Sequence, residues 1–197
     1  MATAATTTAP GTRDRLVRTA SRLMQHGGYE NTPVKQLVRE AEATLGSLYH
    51  FFPGGKQELA VAAIHFGDEE FAELLRAGLA ARTDPAEAIE GVAAALAQAL
   101  EASDWRDGCP VTATALETVG RLPELQAACA RAFANWQHLV AAKLLASGYA
   151  EQDARDLAIT VINTLEGAET TSQVTMSRTP LLVAGRHLAR LVASYKD

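Results

Sequence analysis

The chain has 197 residues, of which 48% are hydrophobic and 21% are charged, and its net charge at pH 7 is −5. This length and apolar content suit one small and one ordinary domain, each with its own core. The chain contains no run of about eighteen apolar residues, the length needed to cross a bilayer. The Ala- and Thr-rich residues 1–11 lack the basic start and apolar centre of an export signal. We therefore expect a cytoplasmic protein with no membrane partner and with a disordered arm over residues 1–11.

Charge is distributed unevenly along the chain. Residues 1–60 contain seven Lys and Arg against five Asp and Glu, a net charge of +2, whereas residues 61–197 contain eleven against eighteen, a net charge of −7. A basic end on an acidic body favours a protein that presents one face to a polyanion and repels it elsewhere. For any single arginine, a solvated surface is the alternative interpretation.

Three helices are predicted within residues 12–58. The first begins at Thr12 and ends at His26-Gly27-Gly28, with one apolar face made by Leu16, Val17, Ala20, Leu23 and Met24. Thr32 and Pro33 are typical of the start of a second, short helix, and Thr44 of the start of a third. Helices this short must pack on each other and on a neighbour. Three such helices with the third exposed indicate a helix-turn-helix DNA-binding domain.

The third predicted helix carries side chains suited to a DNA groove. Its hydroxyl and imidazole groups can form hydrogen bonds with phosphates and base edges. Gly46 has no side chain, so the backbone there can closely approach a phosphate or the preceding helix. Leu48 and Phe52 are expected to face inward, and Lys56 is placed to meet a phosphate together with the amides of the following helix. Singly, each residue could be a packing residue; their order favours DNA contact. The predicted DNA-binding residues are Thr32, Thr44, Leu45, Gly46, Ser47, Tyr49, His50 and Lys56.

These motifs resemble the N-terminal domain of the tetracycline repressor (TetR) family, over about the first third of the chain. The matching segments are Gly28-Tyr29, Thr32, the sequence TLGSLYHFF over residues 44–52, and KQEL over residues 56–59. The chain departs from the family pattern at Glu42, where a glycine is common, and at Pro53-Gly54-Gly55, which is one residue longer than the usual link. That link and Gly108-Cys109-Pro110-Val111 are similar to a subgroup that includes repressors of lincomycin-resistance operons.

Six more helices and no strand are predicted beyond the third helix. They span about residues 58–82, 85–101, 110–120, 123–147, 151–177 and 180–194, with prolines or acidic residues at several starts. The expected fold is therefore all-α with nine helices, the number that the resemblance also implies. We expect a DNA-binding domain over residues 12–58 and a second domain over residues 59–197, for which the resemblance implies ligand binding and dimerisation.

The resemblance implies a small-molecule pocket in the body, and large apolar groups are its candidate lining. The predicted ligand-binding residues are Phe66, Trp105, Phe133, Trp136, Gln137, Ile162 and Glu166. An aromatic residue on a helix is more often core, so core packing is the alternative for the rings. Glu166, Glu169 and Gln173 share one helix face, which is either a polar pocket wall, a dimer contact or solvated surface.

The resemblance also implies a dimer formed by the last two helices. In the last helix, small and apolar residues offer surface for a close helix approach: Ala184, Gly185, Leu188, Ala189 and Val192. A homodimer would double the number of bases that one short recognition helix can read.

Two other classes of protein fit the sequence less well. An enzyme would need a nucleophile such as Cys109 and a base such as His65 or His138, but no nucleophile signature or paired carboxylates support one. The two cysteines and five histidines also lack disulfide-framework or metal-ligand spacing, so no metal or cofactor is predicted. A purely structural helical protein would not explain the first third of the chain. We therefore expect a repressor released from operator DNA by a small hydrophobic or aromatic effector.

Overall fold

The protein is described by a computed structural model, which covers residues 10–196. Within that range the chain forms nine helices and no strand, as predicted. Residues 1–9 of the predicted arm lie outside the described residues. The helices are α1 (Thr12–Gly27), α2 (Val34–Glu40), α3 (Leu45–Phe51), α4 (Lys56–Ala80), α5 (Pro85–Ala102), α6 (Pro110–Thr118), α7 (Pro123–Ala146), α8 (Glu151–Thr175) and α9 (Thr179–Ala193). Over these residues no helix combines the length and apolar character needed to cross a membrane.

Local chemistry explains most helix starts. The Thr44 side chain accepts a hydrogen bond from the Ser47 backbone N–H, as expected of an N-cap. The expectation that Thr32 caps α2 is wrong. Its buried hydroxyl instead donates to the Gly28 carbonyl at 2.8 Å, and α2 begins after Pro33 without a side-chain cap. Thr32 therefore stabilises the loop between α1 and α2.

Helices α1 to α3 form a small bundle whose turn contains a strained residue. Leu16, Leu37 and Leu48 are fully buried between the three helices. Glu42, in the turn between α2 and α3, has a left-handed backbone with φ of 49°, which favours glycine. Arg15 of α1 stabilises this turn, because its guanidinium donates to the carbonyls of Ala41 at 3.0 Å and Glu42 at 3.2 Å.

The remaining helices form the body, with α4 continuing from the bundle into it. The predicted boundary between residues 58 and 59 falls in the first turn of α4, and the division into two domains stays a prediction. Within the body, α9 packs along α5, and α7 packs against both α4 and α8. A Cβ atom on Gly185 would lie 2.8 Å from the Cβ of Ala93. The surface of small residues on α9 therefore packs against α5 of the same chain.

Helix α6 joins the bundle to the body. The Glu117 carboxylate accepts from the Glu30 backbone N–H at 3.0 Å, and Arg121 pairs with the Glu30 side chain at 2.9 Å. At the other end of α6, a Cβ atom on Gly67 of α4 would lie 2.9 Å from Cγ of Pro110. Just before α6, Asp107 lies 2.7 Å from His26 at the end of α1. Both ends of α6 thus touch elements that pack on the three-helix bundle.

Candidate DNA-binding surface and central cavity

Helix α3 presents one face to solvent and buries the other. Tyr49 is 53% exposed, and Leu45, Gly46 and His50 are also exposed. Leu48 and Phe52 are buried, as the sequence predicted. The exposed face carries one phenol and one imidazole, both able to bond base edges or phosphates.

The first turn of α3 has an ordered pair of hydroxyl groups. Thr44 Oγ1 and Ser47 Oγ lie 2.9 Å apart, while Thr44 Oγ1 also accepts from the Ser47 N–H. Gly55, which precedes α4, has φ of +69°, and a Cβ atom there would lie 3.2 Å from the Tyr49 ring. The two glycines of the longer link therefore let the start of α4 pass close to the recognition helix.

The structure gives Lys56 partners within the chain. Its Nζ lies 4.1 Å from the centre of the Tyr29 ring, a cation–π contact, and 3.5 Å from the Glu30 carbonyl oxygen. Partial burial lowers the pKa of the Lys56 amine. These two contacts hold the amine beside Tyr29 and Glu30, whereas Thr32, being buried, offers no hydroxyl to a ligand.

Each of the four arginines of α1 has a partner within the chain. Arg15 holds the turn, Arg22 pairs with Glu40 at 2.7 Å, and Arg13 and Arg18 lie over the rings of Phe52 and Phe66. On α2, Lys35 and Arg39 are exposed, with Arg39 Nη2 4.0 Å from a carboxylate oxygen of Glu40. Both are basic side chains on the helix that precedes α3.

The body contains a cavity of about 220 Å³ beside the start of α6. Its apolar walls come from α4, α5 and α7, with Phe71, Leu74, Leu96, Leu100 and Trp136. Gln25 of α1, Asp107, Cys109 and Pro110 close it toward the DNA-binding bundle, and Glu169 of α8 supplies a carboxylate. The cavity is therefore shared between the body and the element that supports α2 and α3.

The predicted ligand-binding residues do not form one site. Trp136 lines the cavity, and Phe133 lies behind it with the two rings edge to face at 5.4 Å. Phe66 lines a separate surface groove with Arg18, and Gln137 lines an outer groove between α7 and α8. The others sit elsewhere: Ile162 is buried in the core, and Trp105 lies in the loop after α5 with φ of 62°.

Glu166 lies beside the cavity in a cluster with Cys109 and Glu169. The ligand atoms of the three side chains all lie within 4.8 Å of one another. The Thr112 hydroxyl donates to Glu166 Oε2 at 2.5 Å, and Cys109 Sγ accepts from the Thr112 N–H at 3.4 Å. Burial raises the pKa of Glu166, and burial together with Glu166 raises the pKa of Glu169 to about 8.

Sequence reasoning placed Glu169 on the correct helix face but left three roles open for it. The structure places it on the pocket wall. Phe71, Leu74, Leu96 and Leu100 were missed, because their helical spacing does not distinguish a cavity wall from a filled core.

The matches to known proteins agree with this arrangement. A family model described as bacterial regulatory proteins of the tetR family matches residues 16–63, which include α2 and α3. A model of the C-terminal domain of LmrA/YxaF-like transcriptional regulators matches residues 85–187, which is half of the chain. The chain belongs to the TetR family of transcriptional regulators. The matched residues contain both the exposed α3 and most of the cavity wall.

Relatives of this TetR-family regulator match along most of their length. The chain is 34% identical to the HTH-type transcriptional regulator YxaF of Bacillus subtilis over 91% of this chain and 94% of that protein. It is 33% identical to the HTH-type transcriptional regulator LmrA of the same organism, over 86% of this chain and 90% of that protein. These relatives confirm the predicted family and its subgroup.

Solved structures of TetR-family regulators share the fold. A regulatory protein TetR from Rhodobacter sphaeroides has a TM-score of 0.80 at 23% identity, covering 91% of this chain and 97% of that one. A cysteine mutant of the regulator CifR, solved with 26-base-pair operator DNA, has a TM-score of 0.78 at 19% identity, covering 93% and 97%.

Proposed function

We propose that this TetR-family regulator is a homodimeric repressor that binds double-stranded operator DNA through α3. In this proposal a small, largely apolar or aromatic effector enters the central cavity and releases the protein from DNA. The observation that carries the proposal is that Gln25 and Asp107 line the cavity, while Asp107 pairs with His26 of α1. A ligand in the cavity thus lies next to the helix on which α2 and α3 pack.

The release mechanism is a choice between two dimer states. An effector shifts this equilibrium only if it binds one state more tightly than the other. In the dimer state that the effector favours, the spacing between the two copies of α3 does not match successive turns of the major groove, which lie about 34 Å apart. Glu117 of α6 contacts Glu30, and Asp107, just before α6, contacts His26 of α1. In this proposal a displacement of α6 is passed to the bundle through these two contacts.

The DNA contact is tested with Tyr49→Ala and His50→Ala. Each change should weaken binding to an operator selected from a random DNA pool by about 1–3 kcal/mol, because one contact to the groove is lost. The measurement is a mobility shift at fixed salt concentration. His65→Ala is the control, since His65 is exposed on α4 and lies outside α3, α8 and α9. Normal operator binding by both α3 variants would refute the assignment.

The dimer is proposed to form through the exposed faces of α8 and α9. Val174 at the end of α8 is 79% exposed, and Ile159 and Met176 are exposed along the same region. Removing α9 would not test this interface cleanly, because α9 buries Leu181 and Leu188 against the rest of the chain.

A point change on that surface is the sharper test of assembly. We expect Val174→Asp to convert a dimer into a monomer at micromolar concentration, because a charge would be buried at the interface without a partner. Sedimentation velocity measures the outcome. Leu116→Asp is the matched control, since Leu116 is equally exposed, at 76%, but lies on α6. A dimer of unchanged stability in the Val174 variant would exclude this surface.

A further inference from the structure

The charged groups that line the central cavity are all acidic. They are Glu70, Asp107 and Glu169, and no lysine, arginine or histidine lines the cavity within the described part of the chain. Asp107 is paired with His26 at 2.7 Å, and Glu70 is exposed, with Arg18 as a basic neighbour. Glu169 differs from both, because it is only 9% exposed and its charged neighbour is another carboxylate, Glu166.

The carboxylates of Glu166 and Glu169 are left without compensation. Glu166 Oε1 is buried and has no hydrogen-bond partner among residues 10–196. Because the two buried carboxylates lie close together, ionisation of one disfavours ionisation of the other unless a cation compensates their charge. Burial of an unpaired polar group is costly, so the arrangement is stabilised by a positively charged guest more than by a neutral one.

The walls of the cavity fit an organic cation. Its volume of about 220 Å³ exceeds the roughly 150 Å³ of an apolar cavity known to admit benzene. The rings of Phe71 and Trp136 lie 4.5 Å apart and both line the cavity. Aromatic faces attract cations as well as apolar groups. A molecule with one aromatic ring system and one ammonium group satisfies the walls and the carboxylate together.

A metal ion fits the same cluster less well. Cys109, Glu166 and Glu169 offer three ligand atoms, but two of these side chains are already bonded to Thr112 at the start of α6. A three-ligand metal site needs all three groups deprotonated, whereas burial raises the pKa of each of them. An ammonium group needs only the free oxygens of Glu166 and Glu169, which are the unpartnered acceptors.

We propose that the central cavity selects cationic aromatic amines, with Glu169 as the residue that recognises the positive charge. This inference rests on the proposed function, since it names the chemical class of the effector. Glu166 Oε1 lies within reach of the same ammonium group. Phe71 and Leu74, which line the cavity and are only half-buried, supply the apolar contact.

The test compares tryptamine with its neutral isostere tryptophol by isothermal titration calorimetry on the full chain. We expect the amine to bind about tenfold or more tightly than the alcohol, because a buried charge-assisted hydrogen bond is formed. In Glu169→Gln the preference should fall to about twofold or less, since the charge pair is lost. Glu90→Gln, an exposed change on α5, is the control that keeps the preference.

Calorimetry also reports where the proton goes. The pKa of Glu169 near 8 means that the free protein holds a proton on this side chain at pH 7, and binding of an ammonium group displaces it into the buffer. Titrations in two buffers of different ionisation enthalpy should therefore show proton release with tryptamine. Tryptophol should show none, because it leaves Glu169 protonated.

Equal affinity for amine and alcohol in the unmodified protein would overturn the inference. Saturable binding of zinc chloride that is lost in Cys109→Ser would also overturn it, and would assign the cluster to a metal ion. Operator release is measured separately by mobility shift with the same two compounds. Amine-selective binding without release would leave the inference standing and refute the effector mechanism, so the two failures are distinguishable.

Discussion

Trp136→Ala should lower the free energy of unfolding by about 3–5 kcal/mol, the usual cost of truncating a buried tryptophan to alanine. Trp136 is 0% exposed, its ring contacts Phe71 and Phe133, and its indole N–H donates to the Asp68 carbonyl at 3.3 Å. The change removes these contacts and enlarges the cavity on one side. For a chain of this length the melting temperature should fall by roughly 2–4 °C per kcal/mol.

Thermal and urea unfolding measure this effect, and indole provides an internal control. Because an enlarged apolar cavity can bind a small aromatic molecule, added indole should raise the melting temperature of Trp136→Ala more than that of the unmodified protein. Phe133→Ala should cost less, since Phe133 is only half-buried. A Trp136 variant that melts at the original temperature would show that the ring does not support the α4–α7 contact.

Glu169→Gln should stabilise the protein, and the gain should increase with pH. The pKa of Glu169 is raised to about 8 by burial and by Glu166, whereas a glutamate in an unfolded chain titrates near 4.3. Between these values the folded state holds a proton that the unfolded state releases, so the stability of the unmodified protein falls as pH rises. A glutamine at position 169 does not titrate, so it adds no such pH dependence to the stability of the variant.

The size of the gain follows from the same two pKa values. At about 1.4 kcal/mol per pH unit, the difference between the two proteins should be small near pH 5 and reach a few kcal/mol near pH 8, where it levels off. The groups facing Glu169 are Glu166 and Cys109, whose pKa values are also raised by burial. Urea unfolding from pH 5 to pH 9 measures the difference, and Glu90→Gln controls for net charge. Parallel stability curves would contradict the prediction.

The sequence predicted the helices and the recognition surface because both depend on local signals. Prolines, glycines and capping residues mark the ends of helices, and α3 begins directly after Thr44, as predicted. The exposed Tyr49 and buried Leu48 follow from helical periodicity alone. Thr32 was misassigned as a cap because a threonine before a proline can equally bond the preceding turn, and only the observed bond to Gly28 distinguishes the two.

The cavity could not be predicted because its walls come from distant parts of the chain. Leu96 and Leu100 have the same helical spacing as residues of a filled core, and the gap beside them exists only once α4, α5 and α7 have packed. The role of Arg15 was hidden for a similar reason, since it depends on a left-handed Glu42 that lies 27 residues further along the chain. Long-range packing, rather than propensity, decides both features.

The contact between Gly67 of α4 and Pro110 of α6 limits how α6 can move relative to α4. Since even a single added carbon on Gly67 would lie 2.9 Å from the proline ring, α6 has no room to move toward α4 and can only withdraw from it. A ligand that widens the cavity and a larger side chain at position 67 would therefore both move α6 away from α4. Packing of the Pro110 ring on Gly67 therefore limits the motion of α6 on the side that faces α4.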